Sequence, residues 1–268
     1  MEGDADMKVT IGLAQTCHPD DGDVVGLVER WTFNAKRRGV DLLVFPESLM
    51  TRYELALGQF EAEAQPLDGP FASAVNDIAR RAGLWMVYTV NEKNPDSLKP
   101  FNTAVVVDDG GCVRGTYRKV HLFDAGPHRE SGRMSAGDVI FRPIDTLFGK
   151  LGIAICYDLR FPELARRQAI EGAEILVYPA AWVDGAGKKR QWETLLAARA
   201  IENELFVVGV CRADDGYIGS SLVAAPDGSL LVEGSGDEGL YTCELDTESL
   251  EPLRENMPIF GHRRPDIY

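Results

Sequence analysis

The segments KVTIGLAQ (8–15), DLLVFPE (41–47), LGIAIC (151–156), ILVYP (175–179) and LFVVGVC (205–211) are apolar at nearly every position, not at alternate ones. A strand built this way has no face to give to water, so its sheet must be covered on both sides. Helix-like stretches at 23–38, 70–83, 161–172 and 187–204 are interleaved with these runs. The first of them closes with KRRG, a basic last turn ahead of a glycine cap. Further strand-like runs lie at 84–90, 221–226 and 240–245. FNTAVVVDD (101–109) and CVRGTYRKVHLF (112–123) read as strands joined through Asp-Gly-Gly, a hairpin signal. Alternating strands and helices at both ends of the chain, with hairpins between, predict an α/β fold of mixed sheets. Two sheets packed face to face, with helices on both outer faces, satisfy the pattern within a single domain spanning residues 1–268. At 268 residues and 45% hydrophobic content the chain has enough material for that core.

The formal net charge is −14. Nucleic acid and anionic membrane surfaces attract Lys/Arg-rich faces, so this balance argues against both as partners. The opening MEGDADMKVT is acidic and lacks the apolar stretch of a secretory signal, and no apolar run approaches a membrane span. The five cysteines, at 17, 112, 156, 211 and 243, are odd in number and scattered. They form no CxxC pair and no Cys/His spacing that fits a metal. The expectation is a set of reduced thiols in a cytoplasmic protein, with no metal.

Three reactive side chains stand at or near the ends of apolar strands: Glu47 after DLLVFP, Lys119 in TYRKVHLF and Cys156 after LGIAI. Ligands of open α/β sheets bind beyond the carboxyl ends of the strands, where such residues can converge. A thiol of ordinary pKa, about 8.5, is only a few per cent thiolate at neutral pH and needs a base beside it. Glu47 suits that role, taking the thiol proton as sulfur attacks a carbonyl or nitrile carbon and then returning it to a leaving amine. Lys119 and a backbone N–H such as that of Tyr157 suit the resulting oxyanion, at roughly 3–4 kcal/mol per donor. Each residue also has a plainer use, as a packed thiol, a turn cap or a solvated cation; their joint placement favours chemistry. A Cys156–His121 pair is the rival arrangement, because His121 lies two residues after Lys119 and shares its face in a strand. The other four cysteines sit in or beside apolar strand patterns, as core residues do.

FPES around Glu47, YRKVHLF around Lys119 and GIAICYDLRFPE around Cys156 resemble, in order and spacing, the three signature segments of the carbon–nitrogen hydrolase family, the nitrilase superfamily. The resemblance runs from KVTIGLAQ to the closing PIFGHRRPDIY. It implies a four-layer αββα sandwich and a Glu47–Lys119–Cys156 triad. It also implies a second glutamate, Glu130 in HRES, which positions the triad and substrate. A homodimer or larger homo-oligomer is implied too, and no metal or organic cofactor. CYDLRFPE resembles the Nit and ω-amidase members, which cleave small monoamides of dicarboxylic acids; true nitrilases more often carry tryptophan where this chain has Tyr157. In that branch Arg160 is placed to hold a substrate carboxylate by a bidentate pair. Its alternative is a structural pair with Asp158 or Glu163. Tyr53 and Trp182 would wall the pocket. Two segments depart from the ω-amidase pattern: AAWVDGAGKKRQW in place of a Thr-rich loop, and YIGSSLVAAP, with Ser220 where many relatives have histidine. They leave N-carbamoyl compounds and nitriles open as substrates beside a carboxylate-bearing amide. A catalytically silent binding subunit is disfavoured by the intact triad.

Overall fold

The computed structural model describes residues 8–52 and 59–267. In chain order its elements are β1 (Lys8–Gln15), α1 (Val24–Arg37), β2 (Leu42–Val44), α2 (Gln59–Glu63), α3 (Pro70–Ala82), β3 (Trp85–Glu92), β4 (Phe101–Val107) and β5 (Val113–Arg118). There follow β6 (Ile144–Thr146), β7 (Gly149–Ile153), α4 (Pro162–Ile170), β8 (Ile175–Ala180), α5 (Lys188–Asn203) and β9 (Phe206–Cys211). The chain closes with β10 (Leu222–Ala224), β11 (Leu230–Glu233), β12 (Gly239–Asp246) and α6 (Leu250–Asn256).

Two six-stranded mixed sheets result, ordered β12-β1-β2-β3-β4-β5 and β11-β10-β9-β8-β7-β6. Each has three parallel strands at its centre, β1-β2-β3 in one and β7-β8-β9 in the other. Antiparallel strands flank both trios. The doubly apolar strands explain themselves in the first sheet. Leu42 and Val44 of β2, with Val9, Ile11 and Leu13 of β1, face the core between the sheets. Leu43, Met86 and Tyr88 face the opposite way, into a second core under α1 and α3. Alternate residues of one strand thus fill two different cores. On the far side α4 and α5 cover the second sheet through Ala165, Ala169, Trp192 and Leu196. The layers run helix, sheet, sheet, helix, as the sequence predicts.

Local signals set the helix ends. Asp23 accepts from Gly26 N–H at 2.9 Å ahead of α1. Pro70 opens α3, and Gly83, at φ +58°, ends it in the left-handed conformation that glycine adopts without strain. Gly209 of β9 serves close packing instead: a Cβ there would lie 2.5 Å from both Trp192 and Leu196 of α5.

The structure trims two strands at points that matter. β5 stops at Arg118, not Phe123, so Lys119 and His121 do not share a strand face. β7 stops at Ile153, so Cys156 stands beyond the strand on a 3₁₀ turn, Cys156–Arg160. Among the described residues no helix is long and apolar enough to cross a membrane.

Candidate active site

The three strand-end residues meet. Glu47 follows β2 after Phe45, whose N–H bonds to Val87 at 2.9 Å. The next residue, Ser48, turns back at φ +56°, and its carbonyl accepts from Arg212 Nη1 at 2.7 Å. Lys119 leaves β5 with its N–H on Asn102 O at 2.8 Å and its carbonyl receiving Gly137 N–H at 2.8 Å. Cys156 takes φ +46°, a conformation that costs a non-glycine residue about 1–3 kcal/mol and must be held by its surroundings.

Asp158 supplies that hold. Its Oδ2 accepts from Ile155 N–H at 3.0 Å and from the Tyr117 hydroxyl at 2.8 Å. Its Oδ1 accepts from His121 N–H at 3.0 Å and lies 2.9 Å from His121 Nδ1. One fully buried carboxylate therefore clamps the cysteine turn to the segment that carries Lys119. The His121 ring is also stacked on Phe161, with centroids 3.6 Å apart. Its polar and aromatic contacts belong to the scaffold, and Glu47 is the base candidate beside the thiol.

Glu47, Lys119 and Glu130 form one buried ionic network. The Lys119 side chain is 2% exposed, and its Nζ lies 2.8 Å from Glu47 Oε1 and 2.8 Å from Glu130 Oε2. Asn102 Nδ2 donates to Glu47 Oε1 at 2.7 Å and lies 3.5 Å from Glu130 Oε1. Ala181 N–H donates to Glu47 Oε2 at 2.9 Å, and Phe123 N–H to Glu130 Oε2 at 2.6 Å. The Cys156 thiol lies beside Glu47, and each shifts the other's ionisation.

Burial pushes the Glu47 pKa up, but the Lys119 charge, the hydrogen bonds from Lys119 and Cys156 and that from Ala181 outweigh it. They hold the carboxyl below the usual range. Burial, and then the Glu47 charge, drive the Cys156 thiol well above its ordinary pKa, and Lys119 only partly counters them. Burial works against the Lys119 ammonium, but Glu130, Glu47 and Cys156 together keep it firmly protonated. The resting pair is thus a carboxylate beside a neutral thiol, the protonation states from which a base draws a proton as sulfur attacks.

The trio opens into a cavity of about 240 Å³, lined also by Phe123, His128, Glu130, Val183 and residues 215–217. A narrow annex of about 20 Å³ branches from it at Cys156, walled by Tyr157, Arg160, Trp182 and Lys188. Tyr157, Arg160 and Trp182 therefore stand at the cavity, whereas Tyr53 lies outside the described residues. Arg160 pairs with neither Asp158 nor Glu163. It donates to Gln191 Oε1 at 2.7 Å and lies 4.8 Å over the Trp182 ring. The two divergent loops are paired: Val183 bridges Tyr217, and Asp184 N–H bonds to Gly216 O at 2.8 Å. Ser220 is buried away from the lining, its carbonyl accepting from Trp192 Nε1 at 2.9 Å.

Sequence reasoning missed Asn102, Asp158, His128 and residues 215–217. Asn102 carried a readable signal, an amide side chain inside a largely apolar strand. Among the described residues no group of three or more His, Cys, Asp or Glu side chains is arranged to hold a metal ion.

Comparison with known proteins matches residues 10–255 to the carbon–nitrogen hydrolase family model. A deaminated glutathione amidase of Rattus norvegicus is 37% identical over 219 residues, covering 76% of this chain and 67% of that protein. A protein of the same name from Escherichia coli O157:H7 is 35% identical over 230 residues, covering 86% of this chain and 87% of the relative. Among solved structures, the Caenorhabditis elegans NitFhit protein superposes with a TM-score of 0.89 at 31% identity, covering 97% of this chain and 66% of that one. The chain spans about two thirds of the length of the rat and nematode proteins. A family model that matches nearly the whole chain, amidase relatives above 30% identity and a nitrilase-fold neighbour agree: this chain belongs to the carbon–nitrogen hydrolase family and is an amidase-type enzyme of its Nit branch.

Proposed function

We propose that the chain hydrolyses the amide bond of a small carboxylate-bearing amide through a thioester on Cys156. Sγ attacks the carbonyl carbon while Glu47 accepts the thiol proton. The oxyanion forms against the Lys119 ammonium and the backbone N–H of Tyr157, the second residue of the Cys156–Arg160 turn, where N–H groups lack intrahelical partners. As the C–N bond breaks, Glu47 passes its proton to the departing nitrogen. Water then attacks the thioester, Glu47 takes the water's proton, and the C–S bond breaks to release the acid. The same proton returns to sulfur and restores the thiol. Glu130 keeps Lys119 charged and aimed throughout. Arg160 binds a substrate carboxylate.

One observation carries this proposal: the Glu47 carboxylate, held by Lys119 Nζ and Ala181 N–H, lines one cavity together with the Cys156 thiol. The name of the relatives, deaminated glutathione amidase, supports a carboxylate-bearing amide. We also propose that two copies pair in solution and that the enzyme works in the cytoplasm.

The test is ammonia or amine release from succinamate, glutaramate, their α-keto relatives, deaminated glutathione, neutral aliphatic amides, N-carbamoyl amines and aliphatic nitriles. Cys156→Ala is the blank. Turnover led by the carboxylate-bearing amides, and absent in the blank, is expected. Preference for N-carbamoyl amines or nitriles would overturn the substrate assignment, and turnover by the blank would overturn the nucleophile.

A further inference from the structure

Two cations at the annex lack anions. Arg160 is half-buried, and its hydrogen bond goes to the neutral amide of Gln191 while its plane lies over Trp182. Lys188 is also half-buried, at the first residue of α5, with its ammonium 5.5 Å over the Phe123 ring. Among the described residues neither has a carboxylate within ion-pair distance. The neighbouring Lys189 is held at 2.8 Å by Glu233, Arg212 by Asp214, and Arg118 by Glu92 at 2.5 Å. Half-buried cations repel one another and lose hydration, so two left unpaired on the wall of one small pocket make a site that an arriving anion completes.

Shape narrows the anion. The annex, about 20 Å³, exceeds the ~10–15 Å³ one water requires and holds little more. It admits the one or two oxygen-sized atoms at the tip of an arm, not the arm itself. Cys156, Phe123, Ala181 and Val183 line both the annex and the main cavity, so the nucleophile stands at their junction. A substrate acylating Cys156 reaches into the annex with one arm and leaves its remaining bulk in the larger chamber.

We propose that Lys188 is a specificity-determining residue which, with Arg160, makes the annex a two-cation receptor for a substrate carboxylate. This rests on the amidase proposal for its meaning, but its test does not require turnover. Glutarate binding is measured by calorimetry on the Cys156→Ala protein, with and without Lys188→Met, and with the neutral diamide glutaramide as comparison. Glutarate binding tighter than glutaramide, and weakened about tenfold or more by Lys188→Met, is expected, the scale of one charge-assisted contact. Lys189→Met, which touches an already paired lysine, is expected to leave binding unchanged. In the active enzyme Lys188→Met raises KM for glutaramate by a similar factor and leaves KM for neutral amides within about twofold. Equal binding of glutarate and glutaramide, or glutarate binding indifferent to Lys188→Met, overturns the receptor. Absence of any amide turnover, with glutarate binding intact, overturns the amidase proposal instead.

Discussion

Asp158→Asn perturbs the clamp at little cost in volume. The carboxylate accepts four contacts: Ile155 N–H and Tyr117 hydroxyl on Oδ2, His121 N–H and Nδ1 on Oδ1. An amide has only one oxygen. If its NH₂ takes the Oδ2 place, it faces the buried N–H of Ile155; if it takes the Oδ1 place, it faces the N–H of His121. Tyr117 can turn to accept, but a backbone N–H cannot, so either orientation strands one donor. That costs about 1–3 kcal/mol. The surviving bonds also lose the strengthening given by a charged acceptor, worth about 1 kcal/mol more. The expected loss is about 2–3 kcal/mol, read as a lower urea midpoint, or a fall in Tm of about 5–10 °C. Ile155 immediately precedes the strained Cys156, so kcat is expected to fall at least tenfold while KM changes little. His121→Phe, which keeps an aromatic ring on Phe161 and removes one side-chain contact, is expected to be milder on both counts. An Asp158→Asn enzyme within about 0.5 kcal/mol of wild type and with full kcat would refute the clamp.

Gly209→Ala puts a methyl 2.5 Å from Trp192 and Leu196, both fully buried, and is expected to destabilise the protein by about 1–3 kcal/mol in urea titration. The pH profile of kcat/KM follows from the charge states. Glu47 is held below the ordinary carboxylate value of 4.5 and Cys156 well above 9.0. The rate is therefore expected to be flat from about pH 6 to 9, with activity falling only as Glu47 is protonated in the acid range. An acidic limb centred between pH 6 and 7 would point to a histidine base and revive His121.

The fold was legible because its strands are apolar on both faces, and that pattern has few solutions. The short strands β6 and β11 and the helix α6 were not read. IDT and LLVE are three and four residues of half-exposed chain whose partners, not their own sequence, make them strands. Glu47 and Cys156 were legible as reactive residues closing apolar runs, and Lys119 as a cation within a strand-like one. Asp158 was not, although it lies within the cysteine segment. A carboxylate beside Arg160 suggests a local ion pair, and only the fold brings Tyr117 and His121 to it. The same-face argument for His121 failed because β5 ends at Arg118. Strand periodicity carries no information past the last ladder residue. The segments AAWVDGAGKKRQW and YIGSSLVAAP were legible as departures, but only the fold pairs them through Val183 and Tyr217 and sets Lys188 at the annex while Ser220 is buried away from it.

The central claim is a thioester on Cys156 common to every substrate with the same acyl group. The direct measurement is partitioning between water and hydroxylamine: glutaramate and glutaric acid monomethyl ester are each turned over with added hydroxylamine, and hydroxamate and acid products are counted. A shared thioester predicts one hydroxamate-to-acid ratio for both substrates and no product of either kind from Cys156→Ala. Different ratios for the two substrates, or products from Cys156→Ala, would contradict the account.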